Sequence, residues 1–227
     1  MKFAVVLKNS PRLWISTLAL FVCLLSPGFV RAQSLTVKEL ASRVDHHYNA
    51  LHSLQINFTQ QYQGMGMDRR ESGVLLLKKP GRMRWTYSNP SGKLFILDGH
   101  NAYFYSPGQT TAQRVPAKEL NDLRSPLRLL LGHTKLEKEL QGLTMTPAAN
   151  GVYTLAGVPR NMENRVASLS LTVSADGVIH SMEVDETDGV RNTFHFSDAK
   201  PNAPAPDSAF VFTPPAGVSI VDGMPPV

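Results

Sequence analysis

Turn-forming residue pairs punctuate this chain so often that most of the runs between them are too short for helices. Pro80-Gly81, Asn89-Pro90-Ser91-Gly92, Asp98-Gly99, Pro107-Gly108, Asn150-Gly151, Asp176-Gly177 and Asp188-Gly189 are the clearest. Between them, apolar and polar residues alternate. Leu54, Ile56 and Phe58 alternate with Gln55, Asn57 and Thr59, and Met83, Trp85 and Tyr87 alternate with Arg82, Arg84 and Thr86. A period of two places successive side chains on opposite faces of a strand. Many half-buried strands joined by tight turns make a meandering antiparallel sheet. Further strands are expected over 74–79, 94–97, 102–105, 143–147, 152–156, 166–173, 178–185 and 190–197, for about ten or eleven in all. The proline-rich stretch 200–217 reads as a tail.

One sheet of this size curls, and with a polar outside its concave side is apolar. Two helical segments are available to cover that side. Thr36 opens a capping box with Glu39, and Val37, Leu40, Val44, Tyr48 and Leu51 recur at helical spacing, which predicts a helix over 36–51. Ser125 and Pro126 suit a helix start. Leu127, Leu130 and Leu131 follow before Gly132, and Leu136 and Leu140 suggest a second short piece, giving a segment 126–140. The expected fold is therefore mainly β with a helical lid: an incomplete antiparallel β-barrel of about eleven strands whose concave apolar face is covered by helices.

The first residues read as an export signal. Lys2, Lys8 and Arg12 precede the apolar run Leu13–Leu25, which Pro27 and Gly28 break. Val30-Arg31-Ala32 offers a cleavage site, so 1–32 is expected to leave and 33–227 to form one domain. Four of the 23 basic residues leave with it and none of the 18 acidic ones, so 19 bases face 18 acids. The basic balance of the whole chain thus belongs to the signal and gives no support for nucleic-acid binding. Cys23, the only cysteine, falls within the apolar run behind Val22, a poor lipid-attachment site. The mature chain is expected to have no thiol chemistry, no disulfide and no lipid anchor.

Catalytic motifs are missing. The sequence has no Gly-x-Ser-x-Gly elbow, no Walker loop, no Gly-x-Gly-x-x-Gly and no His-Glu-x-x-His. His46 and His47 are adjacent on a helix and face different ways, and Asp185, Glu186 and Asp188 lack the ligand alternation of a calcium loop. Neither an enzyme nor a metal or cofactor site is expected. Lys78, Lys79, Arg82 and Arg84 read as a solvated outer face, with a docking patch for a partner or anionic headgroups as the other reading.

The run Lys79-Pro80-Gly81-Arg82-Met83-Arg84-Trp85-Thr86-Tyr87, followed by Asn89-Pro90, Asp98-Gly99 and Tyr103-Phe104-Tyr105, resembles the signature of the LolA family of periplasmic lipoprotein carriers. Phe58-Thr59-Gln60 upstream and Phe212-Thr213-Pro214-Pro215-Ala216-Gly217-Val218 downstream match it in the same order. The resemblance implies a soluble, monomeric periplasmic chaperone. Such a protein takes acylated lipoproteins from an inner-membrane ATP-driven (ABC) transporter and passes them to an outer-membrane lipoprotein receptor, where one exists. It implies an acyl-chain cavity, expected here at Leu40, Val44 and Leu51 of the first helix and Phe58, Leu75, Leu77, Met83, Trp85, Tyr87, Leu94, Ile96 and Phe104 of the strands. Leu127, Leu130 and Leu131 of the second helical segment complete it. It also implies that Lys79, where Arg is common, latches the lid through main-chain carbonyls. A module binding or sensing another lipid or glycolipid on a similar half-barrel is the other reading.

Overall fold

The computed structural model of the protein describes Met1, residues 35–120 and residues 135–223. The expected signal beyond Met1, and Leu127, Leu130 and Leu131, lie outside the described residues. No described helix is long and apolar enough to cross a membrane.

Helix α1 (Val37–Asn49) begins where its capping box dictates: the Thr36 hydroxyl accepts the Glu39 N–H at 3.2 Å, and the Glu39 carboxylate accepts the Thr36 N–H at 2.9 Å. Two hairpin-rich halves follow. The first holds β1 (Ser53–Gly64), β2 (Met67–Lys78), β3 (Arg82–Asn89), β4 (Leu94–Leu97), β5 (Asn101–Tyr105) and β6 (Thr111–Pro116), then a single turn of helix, α2 (Ala117–Leu120). The second opens with α3 (Leu136–Glu139) and holds β7 (Leu140–Pro147), β8 (Val152–Pro159), β9 (Val166–Ser174), β10 (Ile179–Glu186), β11 (Arg191–Pro201) and β12 (Ser219–Asp222).

All twelve strands belong to one open sheet, in the order β12-β6-β5-β4-β3-β2-β1-β11-β10-β9-β8-β7. The two halves meet where β1 pairs with β11, and β12 crosses over to add itself to β6 of the first half. Every pairing is antiparallel except β12 on β6, which is parallel. The sheet is thus the incomplete barrel expected, with twelve strands among the described residues where about eleven were expected.

The core lies on the concave face. Alternate residues of β1, β2 and β3 (Leu54, Ile56, Phe58; Leu75, Leu77; Met83, Trp85) join Leu169, Leu171 and Val173 of β9 and Met182 and Val184 of β10 in one buried cluster. The apolar stripe of α1, Leu40, Ala41, Val44 and Tyr48, closes it.

The convex face has a cover of its own. Behind the turn Asp207–Phe210, Phe210 and Phe212 pack with Ile96 and Ala112 in a second, smaller cluster, and Phe212 stacks on Tyr103 with ring centroids 5.1 Å apart. Lys78 and Arg82 both pair with Asp207, and Arg84 donates to the Ala209 carbonyl at 2.9 Å. The basic run is therefore neither a solvated face nor a free docking patch: three of its four members hold the C-terminal segment. The stretch read as a tail is a strap, ended by β12.

Candidate functional site

Polar bonds tie α1 down mainly at its margins. The Arg43 guanidinium donates to the Ala175 carbonyl at 2.7 Å, in the β9–β10 turn. Gly177 of that turn lies so close that a Cβ there would sit 2.5 Å from the Arg43 carbonyl carbon, and its φ of +95° is one L side chains rarely adopt. The Tyr48 hydroxyl accepts the Ile179 N–H at 3.1 Å. Burial pushes that phenol up to about 12. The Asp45 carboxylate accepts the Leu136 N–H at 3.0 Å, joining α1 to α3, and burial raises its pKa. At the C-terminal end the Lys79 ammonium donates to the Tyr48 carbonyl, and burial pulls its pKa below the ordinary value. Last-turn carbonyls lack helical partners and carry partial negative charge, so a cation there is well placed. A small cleft lined by Tyr48, Leu51, Ser53, Leu54, Leu77 and Lys79 lies at this corner.

Beneath the helix the sheet is aromatic. Trp85, 4% exposed, meets Phe58 edge-on at 4.5 Å and Phe194 at 5.7 Å. Phe58 meets Tyr87 at 5.2 Å. The indole N–H points to the Met83 sulfur at 2.7 Å. In this cover-on arrangement helical side chains occupy the concave face.

Of the expected cavity residues, Leu40, Val44, Leu51, Phe58, Leu75, Leu77, Met83 and Trp85 lie in the one buried cluster, with Tyr87 packed against it. Phe104 meets Phe95 at a tilt, with ring centroids 4.8 Å apart, and Phe95 packs on the same cluster. Leu94 and Ile96 are a correction: both belong to the convex cluster with Phe210 and Phe212. The segment Leu94-Phe95-Ile96-Leu97 is apolar throughout and carries no internal phase. The phase comes from register: Trp85 pairs with Phe95 and Met83 with Leu97, which turns Phe95 and Leu97, not their neighbours, to the concave side.

Sequence reasoning also missed the wall from the second half of the sheet, Phe194, Met182 and Leu155, although alternation within those strands carried the signal. It missed a polar end to the face as well. Glu71, 3% exposed, is held by Lys93 at 2.6 Å and Arg69 at 3.1 Å. The Lys93 ammonium lies 4.4 Å from the Tyr87 ring centroid. Burial, reinforced by Glu71, pushes the Tyr87 phenol up. No group of three or more His, Cys, Asp or Glu residues able to hold a metal ion occurs among the described residues. The arrangement offers an apolar surface, a helical cover and a polar end.

Comparison with known proteins gives this geometry its context. The family model described as outer membrane lipoprotein carrier protein LolA matches residues 49–213. The outer-membrane lipoprotein carrier protein of Nitrosomonas europaea is 30% identical over 208 residues, 90% of this chain and 96% of that one. The protein of the same name from Pseudoalteromonas translucida is 28% identical over 87% of this chain and 90% of its own. A crystal structure of a LolA superfamily protein from Nitrosomonas europaea overlays 79% of this chain and 99% of that chain at 12% identity, with a TM-score of 0.42. The chain belongs to the LolA family of outer-membrane lipoprotein carriers.

Proposed function

We propose that this member of the family carries acylated lipoproteins through the periplasm, holding their acyl chains on the concave sheet face that α1 covers when no cargo is bound. The observation that carries the reading is the seating of α1. Its apolar stripe lies on an aromatic sheet face, while its polar ties, the buried Tyr48 hydroxyl apart, sit at the margins. Such a cover can leave without breaking the sheet. Leu40, Val44 and Tyr48 contribute about 1.5–3 kcal/mol each and Ala41 about 1 kcal/mol, roughly 5–10 kcal/mol together. An acyl chain with about fifteen methylenes contributes about 12 kcal/mol at 0.8 per methylene. Two or three chains therefore outcompete the helix, and one chain roughly matches it.

The cavity in this reading is lined by Leu40, Val44 and Leu51 of the lid side and by Phe58, Leu75, Leu77, Met83, Trp85, Tyr87, Phe95 and Leu97 of the sheet. Lys79 steadies the closed lid through the Tyr48 carbonyl. The signal 1–32 is removed in export, and 33–227 works as a monomer without a lipid anchor. An inner-membrane ABC transporter loads it and an outer-membrane receptor unloads it. Driving energy comes from those partners, and no covalent step is involved.

Trp85 makes the test direct. Trp14 leaves with the signal, so Trp85 is then the only indole of the two in the chain. A triacylated lipopeptide with brominated acyl chains should quench its emission saturably. Emission indifferent to every acyl ligand would overturn the placement of cargo on this face.

A further inference from the structure

Gln60 continues the alternation Leu54, Ile56, Phe58 and so lies on the concave face, opposite Glu71 on one side and Phe194 on the other. Its amide nitrogen donates to the Asn192 side-chain oxygen at 3.0 Å. Its side-chain oxygen, Oε1, is buried and has no hydrogen-bond partner among the described residues. Buried acceptors are normally satisfied, and an orphan on a ligand-holding face marks where a donor is missing. Beside it, the Glu71 carboxylate is buried yet paired with Lys93 and Arg69. A buried ion pair is weak evidence for stability, whereas it makes this end of an otherwise aromatic face polar.

We propose that Gln60 reads the polar junction of the cargo: its Oε1 accepts the amide N–H of the N-acylated amino terminus, and the Glu71–Lys93 pair surrounds that junction. The inference rests on the carrier reading and deepens it, because it orients the cargo. Acyl chains run from Gln60 towards Phe58 and Trp85, and the polypeptide leaves past Glu71. It also gives the site a way to tell a lipoprotein from a lipid of equal hydrocarbon content. An ester offers only acceptors, and Gln60 Oε1 is itself an acceptor.

Two ligands matched in acyl length separate the possibilities: a triacylated lipopeptide, which has the amide N–H, and a triacylglycerol, which lacks it. Binding of each to the mature protein is measured by competition with a fluorescent hydrocarbon probe. The wild-type protein should prefer the lipopeptide by about 3- to 10-fold, the range of one hydrogen bond. Gln60→Met, near in shape, and Gln60→Leu should erase the preference by weakening the lipopeptide alone. A preference that survives in either folded variant would overturn the proposal, as would a wild-type protein with no preference. Wild-type protein that binds neither ligand would instead sink the carrier reading, and this inference with it.

Discussion

The two faces of the sheet carry covers of opposite character. On the concave side α1 lies on apolar side chains, and its few polar bonds run largely to main-chain groups at its margins. On the convex side the strap is nailed at its centre: Phe210 is 1% exposed, Phe212 stacks on Tyr103, and Asp207 meets two cations at once. One strand serves both. Met83 and Trp85 of β3 face the helix, while Arg82 and Arg84 face the strap. The period of two thus assigns adjacent residues of one strand to the helix on one face and to the strap on the other.

The contrast breaks first, if it breaks, at Phe210. Phe210→Ala should lower global stability by about 3–5 kcal/mol, the usual range for emptying a buried aromatic site. Urea unfolding measures it, and a loss below about 1 kcal/mol would mean the strap is not structural. Tyr48→Phe is the counterpart on the other side. It leaves the Ile179 N–H buried without its acceptor, a loss of about 1–3 kcal/mol, and the effect should be confined to α1 and the β9–β10 turn. Faster hydrogen exchange there, with the strap unchanged, is the expected pattern; equal acceleration across the sheet would erase the distinction between covers.

Lys79→Leu is milder, because the ammonium is only partly buried. Loss of its bond to the Tyr48 carbonyl should loosen α1 by about 0.5–1.5 kcal/mol, and Lys79→Arg should restore the protection. Unchanged exchange over 37–49 would show that Lys79 holds nothing.

Acid should give the smallest effects, of opposite sign on the two sides. Hydrogen bonding from Lys78, with the charge of Arg82, lowers the Asp207 pKa below 3.8. Its contribution is present above that value and is lost as pH falls through the folded one. Burial raises the Asp45 pKa, so its carboxylate takes up a proton more readily in the folded state, and stability from that group grows as pH falls through the folded value. Between about pH 5 and 3 exchange at 207–212 should therefore quicken relative to exchange in α1. The reverse order would show that these carboxylates do not govern the two covers.

Most of this was legible in the sequence wherever a strand has one face in the core. Alternation located β1, β3, β9, β10 and β11, and the turns at Asn150-Gly151, Asp176-Gly177 and Asp188-Gly189 carry the positive φ angles such turns require. Other parts were not legible, for physical reasons. The outer half of β2, Met67 to Ser72, is mostly polar because it runs beyond the core, and Glu71 there is buried by ion pairing and not by apolar packing. The strand β6 has only Ala112 and Val115 inside. The strap offers two buried phenylalanines among prolines, and no local pattern says which surface they will meet. Leu94 and Ile96 were assigned to the wrong face because their phase is set by β3 across a hairpin.

Among the described residues the sheet ends at β12 on one side and β7 on the other and does not join itself. In a closed barrel, strand number and stagger fix the radius, so the interior has one size. A sheet with two free margins is under no such constraint: small changes of twist, shared among eleven strand pairings, widen or narrow the hollow without a broken ladder. The interior volume is thus not fixed by closure, as it is in a barrel. Its two unpaired margins expose backbone hydrogen-bonding groups. On one of them β12 is only four residues long and ends in an Asp222–Arg114 ion pair, the kind of blunt, charged border that discourages a neighbouring chain from adding itself to the sheet.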